Sequence, residues 1–263
     1  MSFQSSQFIN DFAWQPPFTS TQPPLADELR AHFAVHRPYF NDIIKLNEPV
    51  PHTSLTLHQW AQPATLNSLL ACYSDHIYRN QPNLAREGKP LKSLWAQWYL
   101  GLLVPPLVMA LITQPRALDI DPQHIHVEFH ETGRAATFWL DVQEDKMATT
   151  MPLTQRLEKL LIKGLIPVVD TLEKSGEING KLIWSNTGYL LNWFFGELRE
   201  LLDESTIAEL RHACFFEKQL KNGQDNPLYR TVILREGLLV RRTCCQRYKL
   251  PDVQRCGDCT LKS

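Results

Sequence analysis

HIHVEFHETGRAATFWLDV, residues 124–142, is where the chain changes its period. Polar and apolar residues alternate through it, and Thr132-Gly133 stands at its centre, where two extended runs need a turn. This is the pattern of a β-hairpin. On either side the spacing is helical. Helices are expected over Leu25–Leu46, kinked or split at Pro38, over Ala64–Asn80, and over residues 153–175. Another is expected over Trp184–Leu202, starting through Ser185-Asn186-Thr187. The last runs over Thr206–Lys221 and is ended by Asn222-Gly223. Leu228–Arg242 alternates again and turns at Glu236-Gly237. The strands do not alternate with helices in βαβ units, so a doubly wound parallel sheet is not expected. The expected class is α+β: several packed helices, antiparallel β-hairpins and a cysteine-rich C-terminal tail.

Composition sets the outer limits. With 263 residues, 43% of them hydrophobic and 21% charged, the chain can bury a sizeable core. A formal net charge of −1 names no polyanionic partner. The start, MSFQSSQFINDFAW, lacks the basic end, apolar run and small-residue cleavage site of a secretory signal. The expected location is therefore the cytoplasm, where thiols stay reduced. Ser93–Pro115 holds no charge, but its nearly continuous apolar run, Trp98–Ile112, is shorter than the roughly 18 residues of a spanning helix. Pro105-Pro106 is expected to break it, leaving a buried core helix or two helices meeting at the prolines. Peripheral contact with the inner membrane stays open. Neither G-x-G-x-x-G after a strand nor G-x-x-x-x-G-K-[ST] occurs, so no nucleotide site is legible. Three units are expected: a polar, Pro-rich lead (1–23), an α+β body (24–240) and the tail (241–263).

The tail reads RRTCCQRYKLPDVQRCGDCTLKS, with cysteines at 244, 245, 256 and 259. In a reducing compartment this pattern points to metal rather than to disulfides. Zinc sites space each ligand pair by two to four residues, and adjacent Cys244 and Cys245 fit that poorly, because neighbouring side chains of an extended backbone diverge. A binuclear iron–sulfur cluster distributes four thiolates over two irons and suits the spacing better, with zinc as the alternative. The other two cysteines, Cys72 and Cys214, lie among apolar neighbours and are expected to be buried thiols. Arg241, Arg242, Arg247, Lys249, Arg255 and Lys262 outnumber Asp252 and Asp258 in the tail. Arg241, Arg242, Arg247, Lys249 and Arg255 could form a docking face for an acidic electron carrier. With Tyr248 as the lone stacking residue in the tail, nucleic acid is not expected.

The sequence resembles the FhuF family of bacterial ferric siderophore reductases. The likeness rests on the Cys-Cys-x10-Cys-x2-Cys motif and on SDHIYRNQP (74–82), SLWAQWY (93–99), EFHETGR (128–134) and GEINGKLIWSNTGYL (176–190). It implies that Cys244, Cys245, Cys256 and Cys259 hold a [2Fe-2S] cluster, and that the protein reduces hydroxamate-type ferric siderophores in the cytoplasm. The expected reaction is a one-electron step. Hard Fe(III) prefers the siderophore's oxygens far more than Fe(II) does, so reduction releases the metal. Without a nucleotide site, the electron must come from a separate ferredoxin or flavodoxin-type donor. Candidate substrate residues are His76 and Arg79 on the last turn of a helix, His130 and Arg134 at the hairpin turn, and Trp184 and Asn186 on a later helix; capping and core packing are the competing roles. His124, His126, Glu128 and His130 could share one strand face as a solvated surface, a second metal site or a pocket wall. The rival reading of the whole chain is a non-catalytic, metal-binding regulatory or scaffolding protein that holds zinc or senses iron.

Overall fold

A computed structural model of the chain describes residues 22–257, 259 and 261; most of the expected N-terminal lead, residues 1–21, lies outside them. The described chain opens with α1 (Leu25–His36), which buries Leu25, Ala26, Leu29 and Phe33 along one stripe. It stops before Pro38, as its sequence predicts. The remainder of that expected helix is a single turn, α2 (Phe40–Ile43), followed by strand β1 (Ile44–Leu46). Strand β2 (Leu55–Thr56) and the short α3 (Leu57–Trp60) lead to α4 (Pro63–Ile77). The buried face of α4 is Leu66, Leu70, Tyr73 and Ser74. Cys72 falls off that face and is exposed, which corrects the expectation of a buried thiol.

Helix α5 (Gly88–Ile112) runs unbroken through Pro105-Pro106. An interior proline removes a hydrogen bond and costs a helix about 3 kcal/mol. Burial outweighs that here. Leu103, Val104, Leu107, Val108 and Met109 around the prolines are buried, each contributing about 1.5–3 kcal/mol. The helix is long and apolar enough to cross a membrane, yet 78% of its most apolar window is covered by the rest of the fold. It is the central post of the core.

The hairpin is β3 (Ile125–Phe129) and β4 (Ala135–Leu140), paired antiparallel with Val127 opposite Phe138 and a bulge at Glu128/Phe129. The sheet is larger than the hairpin. Its order is β1-β4-β3-β2, with β1 parallel to β4. Gly133 takes the turn's positive φ of 77°, and a Cβ there would meet the Leu69 carbonyl oxygen at 2.1 Å. Trp95 Nε1 of α5 donates to the Gly133 carbonyl at 2.8 Å. The turn is thereby pinned between α4 and α5. His126 and Glu128 lie on the partly exposed face of β3, opposite buried Ile125 and Val127.

After α6 (Lys146–Thr149) comes a long helical stretch: α7 (Leu153–Lys159), a π-helical Leu160–Leu165 and α8 (Ile166–Lys174). The wide turn precedes Pro167, whose ring would strike the carbonyl four residues back in a regular helix. Helix α9 (Gly180–Glu197) begins earlier than expected, because Asn179 Oδ1 accepts from Leu182 N–H and caps it. Ser185, Asn186 and Thr187 are buried inside this helix rather than at its start. Helix α10 (Glu204–Phe215) ends six residues short of Lys221. Asn226 Nδ2 satisfies the carbonyls of Ala213, Cys214 and Glu217 there, and Asn222-Gly223 makes a separate turn. Strands β5 (Val232–Arg235) and β6 (Leu238–Arg241) form the second hairpin, with Glu236 and Gly237 both at positive φ.

Candidate metal centre and adjoining clefts

The second hairpin places the tail. Gly188 of α9 lies against Thr231, so close that a Cβ would stand 2.1 Å from Thr231 Oγ1. With β5 held there, β6 delivers Arg241 and the cysteines onto the groove between α5 and α9. A chain of hydrogen bonds fixes them. Ser93 Oγ of α5 donates to the Cys245 carbonyl at 3.0 Å, and Asn186 Nδ2 of α9 donates to Ser93 Oγ at 3.0 Å. Arg241 donates to Asn186 Oδ1 at 3.4 Å and to Cys256 Sγ at 3.2 Å. Thr243 Oγ1 donates to Ser185 Oγ at 2.7 Å. The polar triplet 185–187 is thus explained in part by what it grips. Further on, Asp252 accepts from Asn80 Nδ2 at 3.1 Å, tying the loop between the cysteine pairs to the end of α4.

Cys245 and Cys259 are buried, and Cys244 and Cys256 half-buried. The Cys245 and Cys256 sulfurs are 3.9 Å apart. A tetrahedral metal with sulfur ligands at about 2.3 Å holds each sulfur pair about 3.8 Å apart. Burial pushes the Cys256 thiol up, while Arg241 favours its thiolate. The Leu261 backbone N–H holds the Cys259 thiol below its usual value. Cys244 accepts from Gln246 N–H at 3.4 Å and faces a shallow hollow with Lys89, Asn179 and Lys181. Four thiols in one tail are the donor set a two-iron cluster distributes over its metals. The donor set fits the cluster.

One cleft reaches a cluster cysteine, and a second shares part of its wall. A cavity of about 230 Å³ is walled by Cys256, Arg241, Asn186, Tyr189 and Trp193. A groove of about 650 Å³ is walled by Tyr73, His76, Trp98, Arg134 and Asp252. Gln97 and Arg247 belong to both walls. Arg134 stacks its guanidinium over Trp98 at 4.4 Å. Burial, then Arg79 and Arg134, lower the His76 imidazole's affinity for a proton.

Of the substrate candidates, His76 and Arg134 meet in the groove and Asn186 lines the cavity. Trp184 does not join them: it is packed into the hydrophobic core. Arg79 is exposed and walls neither cleft, and His130 is an exposed turn residue bonded to Thr132 Oγ1. Of the docking candidates, Arg242, Lys249 and Arg255 are exposed. Arg241 is only 4% exposed, which removes it from any docking face, and Arg247 is half-buried between the clefts. Sequence reasoning missed Ser93, Gln97, Trp98 and Trp193. The signal was present for two of them: Ser93 and Gln97 stand four apart, one turn of a polar stripe in an otherwise apolar helix.

Clustered thiols, a donor set suited to two irons and a cleft beside them define an iron–sulfur oxidoreductase. Residues 93–239 match the family model for the ferric iron reductase FhuF-like transporter, and residues 241–261 match that for the FhuF 2Fe-2S C-terminal domain. The chain is 60% identical over 262 residues to the ferric siderophore reductase of Escherichia coli (strain K12), covering 100% of both chains. It belongs to the FhuF-like ferric iron reductase family, and its cofactor is a [2Fe-2S] cluster. Family membership sets aside the zinc-binding regulatory reading.

Proposed function

We propose that this protein reduces ferric hydroxamate siderophores by one electron in the cytoplasm and so releases Fe(II). The observation that carries the reading is the sulfur pair at 3.9 Å, Cys245 and Cys256, with Cys256 forming the wall of an open cleft. Cys244, Cys245, Cys256 and Cys259 would hold the cluster, which supplies electrons singly when bound. The chain's own residues position it: Ser93 and Asn186 fix the backbone at Cys245, and Arg241 sets a buried positive charge against Cys256. The neutral, partly buried His76 and the stacked Arg134–Trp98 pair offer polar and aromatic contacts to an oxygen-rich chelate. Arg242, Lys249 and Arg255 present cations to a separate ferredoxin or flavodoxin-type donor.

The test is an anaerobic absorbance and EPR spectrum of the holoprotein, before and after dithionite, followed by a ferric trihydroxamate. A visible spectrum that bleaches, an S = 1/2 signal, and reoxidation by the chelate are expected. A reduced protein that the chelate leaves reduced would overturn the reading. Cys245→Ser is expected to abolish chelate reduction while far-UV circular dichroism stays near wild type. Full activity in that variant would remove Cys245 from the ligand set.

A further inference from the structure

We propose that the cavity walled by Cys256 is the seat of the iron-bearing edge of the chelate, with the remainder of the ligand lying in the adjoining groove; this rests on the reductase reading above. Volume makes the division. Sites for drug-sized ligands run from about 300 to 1,000 Å³. The cavity, at about 230 Å³, admits one flat bidentate arm with its metal, and the groove, at about 650 Å³, admits the body of a multidentate ligand. Gln97 and Arg247 wall both, so the two lie side by side and a ligand that reaches across these side chains would occupy both.

Chemistry points the same way. The cavity floor is apolar, built from Ala96, Leu100, Ile183 and Leu190, and its rim carries Tyr189 and the half-exposed Trp193. A planar five-membered chelate ring with carbon substituents suits such walls. The polar end holds two guanidinium groups, Arg241 and Arg247, which set positive charge and N–H donors beside the apolar floor. Hydroxamate oxygens are acceptors of the right kind. An iron held there would lie against the Cys256 wall, and the step is balanced: the reduced cofactor loses one electron and Fe(III) becomes Fe(II). No carbon bond breaks, and the hydroxamate oxygens freed as iron leaves take their protons from water. The iron–oxygen bonds then weaken and open.

The experiment uses the gallium(III) complex of a linear trihydroxamate, which has the shape of the ferric complex but accepts no electron. It is titrated by calorimetry into holoprotein, and the EPR spectrum of the dithionite-reduced holoprotein is recorded with and without it. Wild type is expected to bind and to show shifted g-values on binding. Ala96→Leu, which fills the cavity, and Trp193→Ala, which strips its rim, are each expected to weaken binding at least tenfold and to remove the g-shift. Their EPR spectra without the complex should match wild type. If Ala96→Leu fails to fold, Trp193→Ala decides, since its side chain is 47% exposed. Wild-type affinity and an unchanged g-shift in the variants would place the seat elsewhere. Failure of the ferric complex to reoxidise wild type would instead overturn the reductase reading.

Discussion

Arg241 carries a positive charge into a position where 4% of its surface meets solvent, and it donates through Nη1 to Asn186 and through Nη2 to Cys256. A charge so placed is weakly screened. It favours the more negative, reduced form of a neighbouring cluster. Arg241→Gln is expected to lower the cluster's midpoint potential by tens of millivolts, where about 59 mV is tenfold in a one-electron equilibrium. Arg241→Lys keeps the charge but loses the two-pronged link, so its shift should be smaller. EPR-monitored potentiometry checks both, and an unchanged potential in the glutamine variant would mean that water screens the site. The cysteine cluster itself was legible in sequence because adjacent cysteines followed by C-x-x-C form a rare spacing. The role of Arg241 was not. A basic residue in a basic tail reads as surface, and only the tertiary approach of α9 shows that it is interior.

Helix α5 and helix α9 make the bed on which the tail lies, and each misled sequence reasoning in a definite way. In α5 the prolines signal a break, but the signal is local and the burial that overrides it is not. In α9 the Ser-Asn-Thr triplet has capping chemistry, yet Ser185 and Asn186 find their partners at residues 93, 241 and 243, out of reach of any local pattern, and only Thr187 bonds locally, to the Ile183 carbonyl. The hairpins were legible, because alternation and turn glycines are local. The parallel pairing of β1 with β4 was not, since it joins residues about 94 apart in sequence. The contact of α9 with Thr231 is tested by Gly188→Ala. Its added methyl would overlap Thr231 Oγ1, so strand β5 must shift. Overpacking of this kind costs about 1–3 kcal/mol. The expected result is a lower denaturation midpoint, together with cluster loss that precedes loss of helix on heating. Coincident loss of both signals would show that the tail does not depend on this contact.

The two remaining cysteines report on the fold as one body. Cys214 sits in the main core at 3% exposure, and burial pushes its thiol above the usual range. Cys72 lies exposed on α4, beside the Gly133 turn. In cluster-loaded protein under native conditions, a maleimide should label Cys72 within minutes. Cys214 should react only at the rate of global unfolding, and faster in denaturant. Mass spectrometry of the digested protein distinguishes the sites. Early labelling of Cys214 would mean that α10 opens independently of the rest. The assembly also gives the core helix its meaning. What composition alone would allow as a membrane span is a post, with the sheet turn braced on it by Trp95 and the tail held to it by Ser93.

The sulfur pair at 3.9 Å has a consequence for metal loading. Two thiols preset at that separation form a ready pincer for any thiophilic ion, and copper and zinc outrank ferrous iron at such donors. Affinity alone would therefore fill the tail with the wrong element. Copper(I) added to protein without its cluster is therefore expected to block later reconstitution with iron and sulfide, and full reconstitution in its presence would show that the pair does not discriminate in this way.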